Sequence, residues 1–137
     1  MLLKWKPEFA TDNGIIDDDH KEIIGHINTV IAALVSGVTA GQIAPMIDAL
    51  LETAARHFER EEHLQALLNF PDCASHREEH RLLLHHVARM GDALRGLSPD
   101  HPPENPAELK AMLYKWMLNH FMQSDLKMQS HLHATAA

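Results

Sequence analysis

The stretch LLETAARHFEREEHLQALLNFPD, residues 50–72, carries both the pattern that predicts the fold and the side chains that predict its chemistry. An apolar stripe of helical period runs along it, and the NFPD turn signal ends it. The stripe consists of Leu50, Ala54, His57, Glu61, Leu64 and Leu68. Two residues four apart on an α-helix lie about 40° from each other around its axis. His57 and Glu61 are therefore expected to point together into a protein core.

Three other segments have the same helical periodicity, with turn signals between them. We predict helices over about 17–36, 40–68, 73–95 and 106–130. Thr39 and Gln42 are a candidate capping box for the second helix, although Pro45 favours a start just before it. Helices of this length with short connections predict an all-α fold, an up-down-up-down antiparallel four-helix bundle. An extended N-terminal arm, residues 1–16, is expected to be anchored by Trp5 and Phe9.

Size and composition limit the possible functions. A chain of 137 residues is expected to form one domain, residues 1–137. The formal net charge of −7, without a basic run, argues against nucleic-acid binding, and no apolar stretch is long enough to span a membrane. The start of the chain lacks the apolar core of a signal peptide, and Cys73 is the only cysteine. We therefore expect a cytoplasmic protein.

Side chains of the types that bind metals fall at one end of the predicted bundle. They come from all four helices: His20, His57, Glu61, His76, His80, His120 and Asp125. Seven ligands are too many for one tetrahedral zinc ion, whereas two metals bridged by carboxylates fit the number, and mixed imidazole and carboxylate ligands suit iron. A ferritin-like carboxylate site requires Glu-x-x-His, and no histidine of this chain has a glutamate three places before it.

His120 and Asp125 are five residues apart, a spacing that a regular α-helix does not bring to one face. Five residues leave the two side chains about 140° apart around the axis. In a π-type turn the pair at this spacing faces one way, and such turns are frequent at functional sites. We therefore predict a local widening of the fourth helix between these two residues.

Four motifs together resemble the hemerythrin family, and specifically the single-domain bacterial hemerythrins. They are IDDDH at 16–20, HFEREE at 57–62, FPDCASHREEH at 70–80 and WMLNHFMQSD at 116–125. The resemblance covers nearly the whole chain. It implies a non-heme di-iron centre that binds O₂ reversibly.

The resemblance also implies how the ligands are shared. His76, His80 and His120 would hold one iron, and His20 and His57 the other. Glu61 and Asp125 would bridge the two irons, together with an oxo or hydroxo group. The chain departs from the family where a tyrosine is common at Phe70, an aromatic residue near Met128, and Gln or Glu at Asp19. None of these departures falls on a predicted ligand.

An apolar O₂ pocket is expected next to the irons, because exclusion of water slows irreversible oxidation. The candidate pocket residues are Ile23, Ile24, Phe58 and Trp116. All four are equally well explained as ordinary core residues. Neutral imidazoles donate less negative charge than carboxylates do, so five histidines beside two carboxylates favour reversible binding over cleavage of the O–O bond.

The predicted function is therefore O₂ binding by a carrier, store or sensor, and not catalysis. One alternative is a di-iron enzyme that acts on peroxide or nitric oxide. A second is an O₂ or redox sensor module of a larger protein, although no output domain is visible in this sequence. A third is a structural site with zinc or a single iron. O₂ is the expected partner, with no nucleic acid or membrane, and the oligomeric state is left open, a monomer included.

Overall fold

Four α-helices make up the chain in a computed structural model, which describes residues 4–7 and 14–119. They are α1 (Ile15–Val35), α2 (Ala40–Leu67), α3 (Cys73–Arg95) and α4 (Pro106–Asn119). These residues contain no β-strand, which confirms the all-α class. None of the helices in this part of the chain is long and apolar enough to cross a membrane. The predicted π-type turn and the rest of the fourth helix, residues 120–130, lie outside the described residues.

Helices α1 and α2 pack side by side in opposite directions. Near the start of α1, the ring of His20 lies against that of His57, late in α2, with centroids 4.4 Å apart. Further along α1, His26 Nε2 lies 3.1 Å from the hydroxyl of Thr53, which is earlier in α2. The two helices are therefore antiparallel.

Helix α3 packs against the other side of α2, also in the opposite direction. Asp48, early in α2, forms an ion pair with Arg95 at the end of α3. Glu61, late in α2, lies 2.9 Å from His76 Nε2 near the start of α3. The late part of α2 therefore faces the early turns of both α1 and α3, which gathers the histidines of three helices into one layer.

A continuous apolar core lies next to this layer and includes residues of all four helices. The largest fully buried side chains are Phe58, Ile16, Ile23, Ile27, Ile31, Ile43, Ile47, Leu50, Leu94 and Leu113. Trp5 packs against the core from the N-terminal segment, and Lys21 Nζ lies 5.1 Å from the centroid of its indole ring. This is the distance of a cation–π contact. Phe9, the other expected anchor, lies outside the described residues.

The start of α2 agrees with the predicted bound of about residue 40, and not with the alternative start just before Pro45. The helix begins at Ala40, so that Pro45 lies inside it and does not mark its start. The first N–H groups of a helix have no acceptor within the helix. Here the N–H of Ala40 donates to the carbonyl of His101 at 2.8 Å, and that of Gly41 to the carbonyl of Pro99 at 3.1 Å. The proline-rich loop after α3 therefore stabilises the turn that precedes Pro45.

The candidate capping box at Thr39 and Gln42 does not form. The Thr39 side chain makes no capping hydrogen bond. Its backbone carbonyl accepts the N–H groups of Gln42 and Ile43, both at 3.0 Å. Because the loop carbonyls already receive the first N–H groups of α2, a side-chain cap is not needed there. Helix α1 begins at Ile15, two residues before its predicted start.

Left-handed residues end α1 and α2. Gly37 has a φ of 72° and Asn69 a φ of 53°. The N–H of Val38 then donates to the carbonyl of Ala33 at 3.1 Å. In the same way, the N–H of Phe70 donates to the carbonyl of residue 65 at 2.9 Å. These bonds are those of a Schellman motif, which turns the chain sharply at a helix end. Because the chain turns sharply at Asn69, α3 begins at Cys73, close to the end of α2.

Gly41 is predicted to be required for the contact between α2 and the loop. A Cβ atom at this position would lie 2.8 Å from the carbonyl oxygen of Pro99. Gly41→Ala should therefore lower the free energy of unfolding by about 1–3 kcal/mol, the usual cost of inserting an atom into a packed contact. Urea unfolding followed by circular dichroism measures the change.

Gly25→Ala is the matched control, since an added Cβ at this helical position meets nothing within 4 Å. Alanine has the higher helix propensity, so this variant should be more stable than the parent by up to about 1 kcal/mol. A Gly41→Ala protein as stable as the parent would show that the loop does not hold the start of α2 in this way.

Candidate metal centre

Five of the seven predicted ligands meet in the layer where α1, α2 and α3 converge. They are His20, His57, Glu61, His76 and His80, and each is at most 4% exposed. The other two, His120 and Asp125, lie outside the described residues, so their part in the site remains a prediction. Five buried titratable side chains in one cluster are rarely found in a core without a function.

The carboxylate of Glu61 lies between two pairs of imidazoles. Its Oε2 atom is 2.9 Å from His57 Nε2 and 3.8 Å from His20 Nε2. Its Oε1 atom is 2.9 Å from His76 Nε2 and 3.3 Å from His80 Nε2. Each oxygen therefore faces one pair of nitrogens, and all four histidines present the same ring nitrogen to the carboxylate.

These side chains form two groups that share Glu61. The first contains His20, His57 and Glu61, and the second contains Glu61, His76 and His80. In each group the ligand atoms lie within 4.8 Å of one another, so that each could hold a metal ion. The spacing of four residues places both members of a pair on one face: His57 and Glu61 on α2, and His76 and His80 on α3.

Burial alone raises the pKa of the Glu61 carboxyl group, but the facing imidazoles lower it by more. The pKa therefore lies well below its usual range, and the group is an anion near neutral pH. Its side chain is fully buried, and no residue in the described part of the chain donates a hydrogen bond of good geometry to either oxygen. A buried anion without hydrogen bonds is costly. A cation between each oxygen and its imidazole pair removes this cost, so the residues fit a metal on either side of Glu61.

Polar side chains contact the outer faces of these histidines. Asp19 Oδ2 lies 3.3 Å from His57 Nδ1, and the other oxygen of Asp19 accepts a hydrogen bond from Arg60 at 2.6 Å. Burial raises the pKa of Asp19, but the hydrogen bond from His57 and the charge of Arg60 bring it below the usual value. On the other side, the amide nitrogen of Gln65 lies 2.6 Å from His76 Nδ1.

Asp19 and Gln65 contact the candidate ligands but are not among the residues that the sequence motifs predict for the site. Asp19 belongs to a run of three aspartates in which Asp18 is exposed, and nothing in the run itself distinguishes them. Gln65 did carry a signal in the sequence, because it follows Glu61 by four residues and so continues the same helix face. A polar residue that continues a stripe of ligands at helical spacing indicates a contact with the ligands.

The four expected pocket residues all lie in the core. Ile23, Ile24, Phe58 and Trp116 are buried. The Phe58 ring stacks on that of His80, with centroids 4.0 Å apart and planes inclined by 6°. Trp116 lies 6.3 Å from Phe58, between ring centroids. Phe58 thus covers one side of a candidate ligand, while a role of these residues toward O₂ remains a prediction.

The fold and the site define an α-helical protein with two adjoining histidine and carboxylate metal positions. Its sequence matches the family model of the hemerythrin HHE cation binding domain over residues 11–132. The chain therefore belongs to the hemerythrin family, as its motifs predict. The family and the two groups of ligands together point to a non-heme iron site.

Curated relatives agree with this assignment. The chain is 29% identical over 124 residues to a bacteriohemerythrin of Stenotrophomonas maltophilia, with 90% of this chain and 77% of the relative covered. It is 30% identical over 125 residues to a hemerythrin-like protein of Naegleria gruberi, covering 91% and 89% of the two chains. A bacteriohemerythrin of Methylococcus capsulatus is 27% identical over 125 residues, with coverage of 90% and 92%.

Glu61 is predicted to be indispensable for metal binding because it belongs to both groups. Glu61→Gln removes the negative charge with little change in shape, and should weaken iron binding on the order of 100-fold or more. Anaerobic titration with Fe²⁺, followed by gel filtration and iron analysis, measures the loss.

Glu59→Gln is the matched control, since it makes the same change of charge at an exposed position two residues earlier. It should bind as much iron as the parent. If Glu61→Gln also retained the parent's iron content and affinity, Glu61 would not be a shared ligand.

Proposed function

We propose that this protein binds O₂ reversibly at a non-heme di-iron centre, as a carrier, store or sensor. The observation that carries the proposal is the position of Glu61, with one oxygen toward His57 and the other toward His76, each at 2.9 Å from Nε2. A carboxylate placed in this way suits the bridge between two metal ions. Membership of the hemerythrin family supports iron as the metal.

The proposed ligand set has seven members. They are His20, His57, Glu61, His76, His80, His120 and Asp125. In this assignment His76, His80 and His120 hold one iron, and His20 and His57 hold the other. Glu61 and Asp125 bridge the irons, together with an oxo or hydroxo group.

The position of α4 supports the inclusion of His120. Trp116 lies within reach of Phe58, which itself stacks on His80, so this helix is already at the level of the site one turn before His120. We infer that the fourth helix continues past Asn119 to complete an up-down-up-down bundle. His120 would then enter the layer of ligands directly, and Asp125 would follow through the widened turn.

The unequal numbers of ligands suit O₂ binding. Three histidines would hold one iron, whereas two would hold the other and leave room there for O₂. When bound, the pair of irons supplies the two electrons that O₂ accepts. The protein holds the ligands in place and keeps water away, because Ile23, Ile24 and Phe58 are almost fully buried beside the histidines.

An apolar cavity supports access for a small neutral molecule. It lies between α3 and α4, has a volume of about 360 Å³, and is lined in part by Leu83, Val87, Met90 and Trp116. Its walls are mainly aliphatic and aromatic. His86 and Lys115 also line the cavity, and Trp116 connects it to Phe58 on the apolar side of the site. A small neutral molecule is compatible with such a lining.

The test is anaerobic loading with Fe²⁺, followed by addition and removal of O₂. The proposal expects two irons per chain and a visible absorption band that appears with O₂ and disappears under argon over repeated cycles. One metal per chain would favour a structural site and contradict the proposal. Rapid loss of the oxygenated form with multiple turnovers of peroxide or nitric oxide would instead identify a di-iron enzyme.

A further inference from the structure

The outer nitrogen of His57 contacts a buried carboxylate that is itself held in place. His57 Nε2 faces Glu61, so that Nδ1 points away from the candidate metals toward Asp19 Oδ2 at 3.3 Å. The second oxygen of Asp19 accepts the Arg60 hydrogen bond at 2.6 Å. The side chain of Asp19 is only 8% exposed and that of His57 is fully buried. This contact is therefore largely shielded from water.

Among the residues that the structure describes, the outer nitrogens of the second group face a different set of side chains. His76 Nδ1 meets the amide of Gln65, which is neutral, at 2.6 Å. Rotation of the Gln65 amide group by half a revolution places its oxygen where it accepts the Nδ1–H of His76. His80 Nδ1 lies 3.6 Å from Glu62, a carboxylate that is 24% exposed and is shared with Arg77. The anionic contact on His57 is thus closer and more buried than its counterpart on the other side.

We propose that Asp19, oriented by Arg60, is a positioning residue that directs His57 Nε2 to one metal and makes that position electronically distinct from the other. This inference rests on the proposed function, because it requires metals on both sides of Glu61. A carboxylate that accepts the Nδ1–H of a metal-bound imidazole fixes the tautomer and ring orientation, and makes Nε2 a stronger donor. Gln65 orients His76 in the same way without adding charge.

The position that Asp19 supports is the one with His20 and His57. In the proposed function it is also the one with the open coordination site. A stronger donor there would stabilise the oxidised state of an iron bound by His20 and His57. Asp19 thereby acts on O₂ binding through His57, without touching the metal.

The substitution Asp19→Asn distinguishes this positioning role from a purely steric one, because the two side chains have nearly the same shape. Two donors approach Asp19, the Nδ1–H of His57 and the guanidinium of Arg60, and a carboxylate accepts from both. An asparagine has a single acceptor oxygen, and its NH₂ group must then face the other donor. Asp19→Asn therefore loses one of the two contacts, and with it the negative charge beside His57.

The experiment uses Zn²⁺ as a redox-inert probe of the full chain. Competition with a chromophoric chelator gives the affinity of each successive metal. The imidazole N–H protons of the zinc-loaded, ¹⁵N-histidine-labelled protein are observed by NMR. Asp19→Asn should weaken one of two zinc ions about 10–100-fold and leave the other unchanged. The His57 Nδ1–H signal should move upfield or broaden, while that of His76 stays in place.

Two further variants complete the design. Asp18→Asn makes the same change of charge at the exposed neighbouring position and should match the parent in both readouts. Arg60→Gln keeps the carboxylate but loses its support, so it should shift the same zinc affinity and the same proton by a smaller amount. Arg60→Gln also tests the inference if Asp19→Asn fails to fold.

The outcomes distinguish this inference from the proposed function. If the parent binds two zinc ions and Asp19→Asn binds both with parental affinity, with an unshifted His57 proton, the inference is wrong and the proposed function stands. Equal weakening of both metals would also overturn it, because the effect would not be confined to one position. A parent that binds fewer than two zinc ions would overturn both.

Discussion

The buried carboxylate of Glu61 is the constraint on which the rest of the site depends. It lies between four imidazoles contributed by α1, α2 and α3, and neither oxygen accepts a hydrogen bond from residues 4–7 or 14–119. In a core, such an anion requires compensating positive charge. The two groups of ligands provide a place for a cation at each oxygen, and the helices that carry them must then be held at one fixed separation. Metal binding and packing of these helices are therefore coupled, as in other proteins whose metal ligands come from several elements.

The surroundings of the two groups differ although their ligands are alike. A carboxylate held by an arginine contacts His57, and a neutral amide contacts His76. The second group also has an aromatic neighbour, because Phe58 stacks on His80. Through Trp116, Phe58 connects this group to α4. A centre that binds O₂ at one of two metals needs this kind of inequality. Each described group has two histidines and shares Glu61, so the inequality seen here comes from the side chains around the ligands.

The helices, and the meeting of five candidate ligands in one layer, could be predicted from the sequence because both depend on local spacing. Pairs of residues four apart, such as His57 and Glu61, share a face of any regular helix. The errors have a common cause, which is contact between segments distant in the sequence. The start of α2 is held by carbonyl groups of residues 99 and 101, so neither Pro45 nor a side chain of Thr39 determines it. Asp19 was likewise missed, since its partners lie on another helix.

The most direct test of the account is a crystal structure of the iron-loaded protein with anomalous diffraction at the iron edge. The account predicts two peaks per chain on opposite sides of Glu61, each within bonding distance of one of its oxygens. The histidines of α1 and α2 would coordinate the iron at one peak, and those of α3 would coordinate the iron at the other. A single peak, or two peaks of which only one contacts Glu61, would contradict the account.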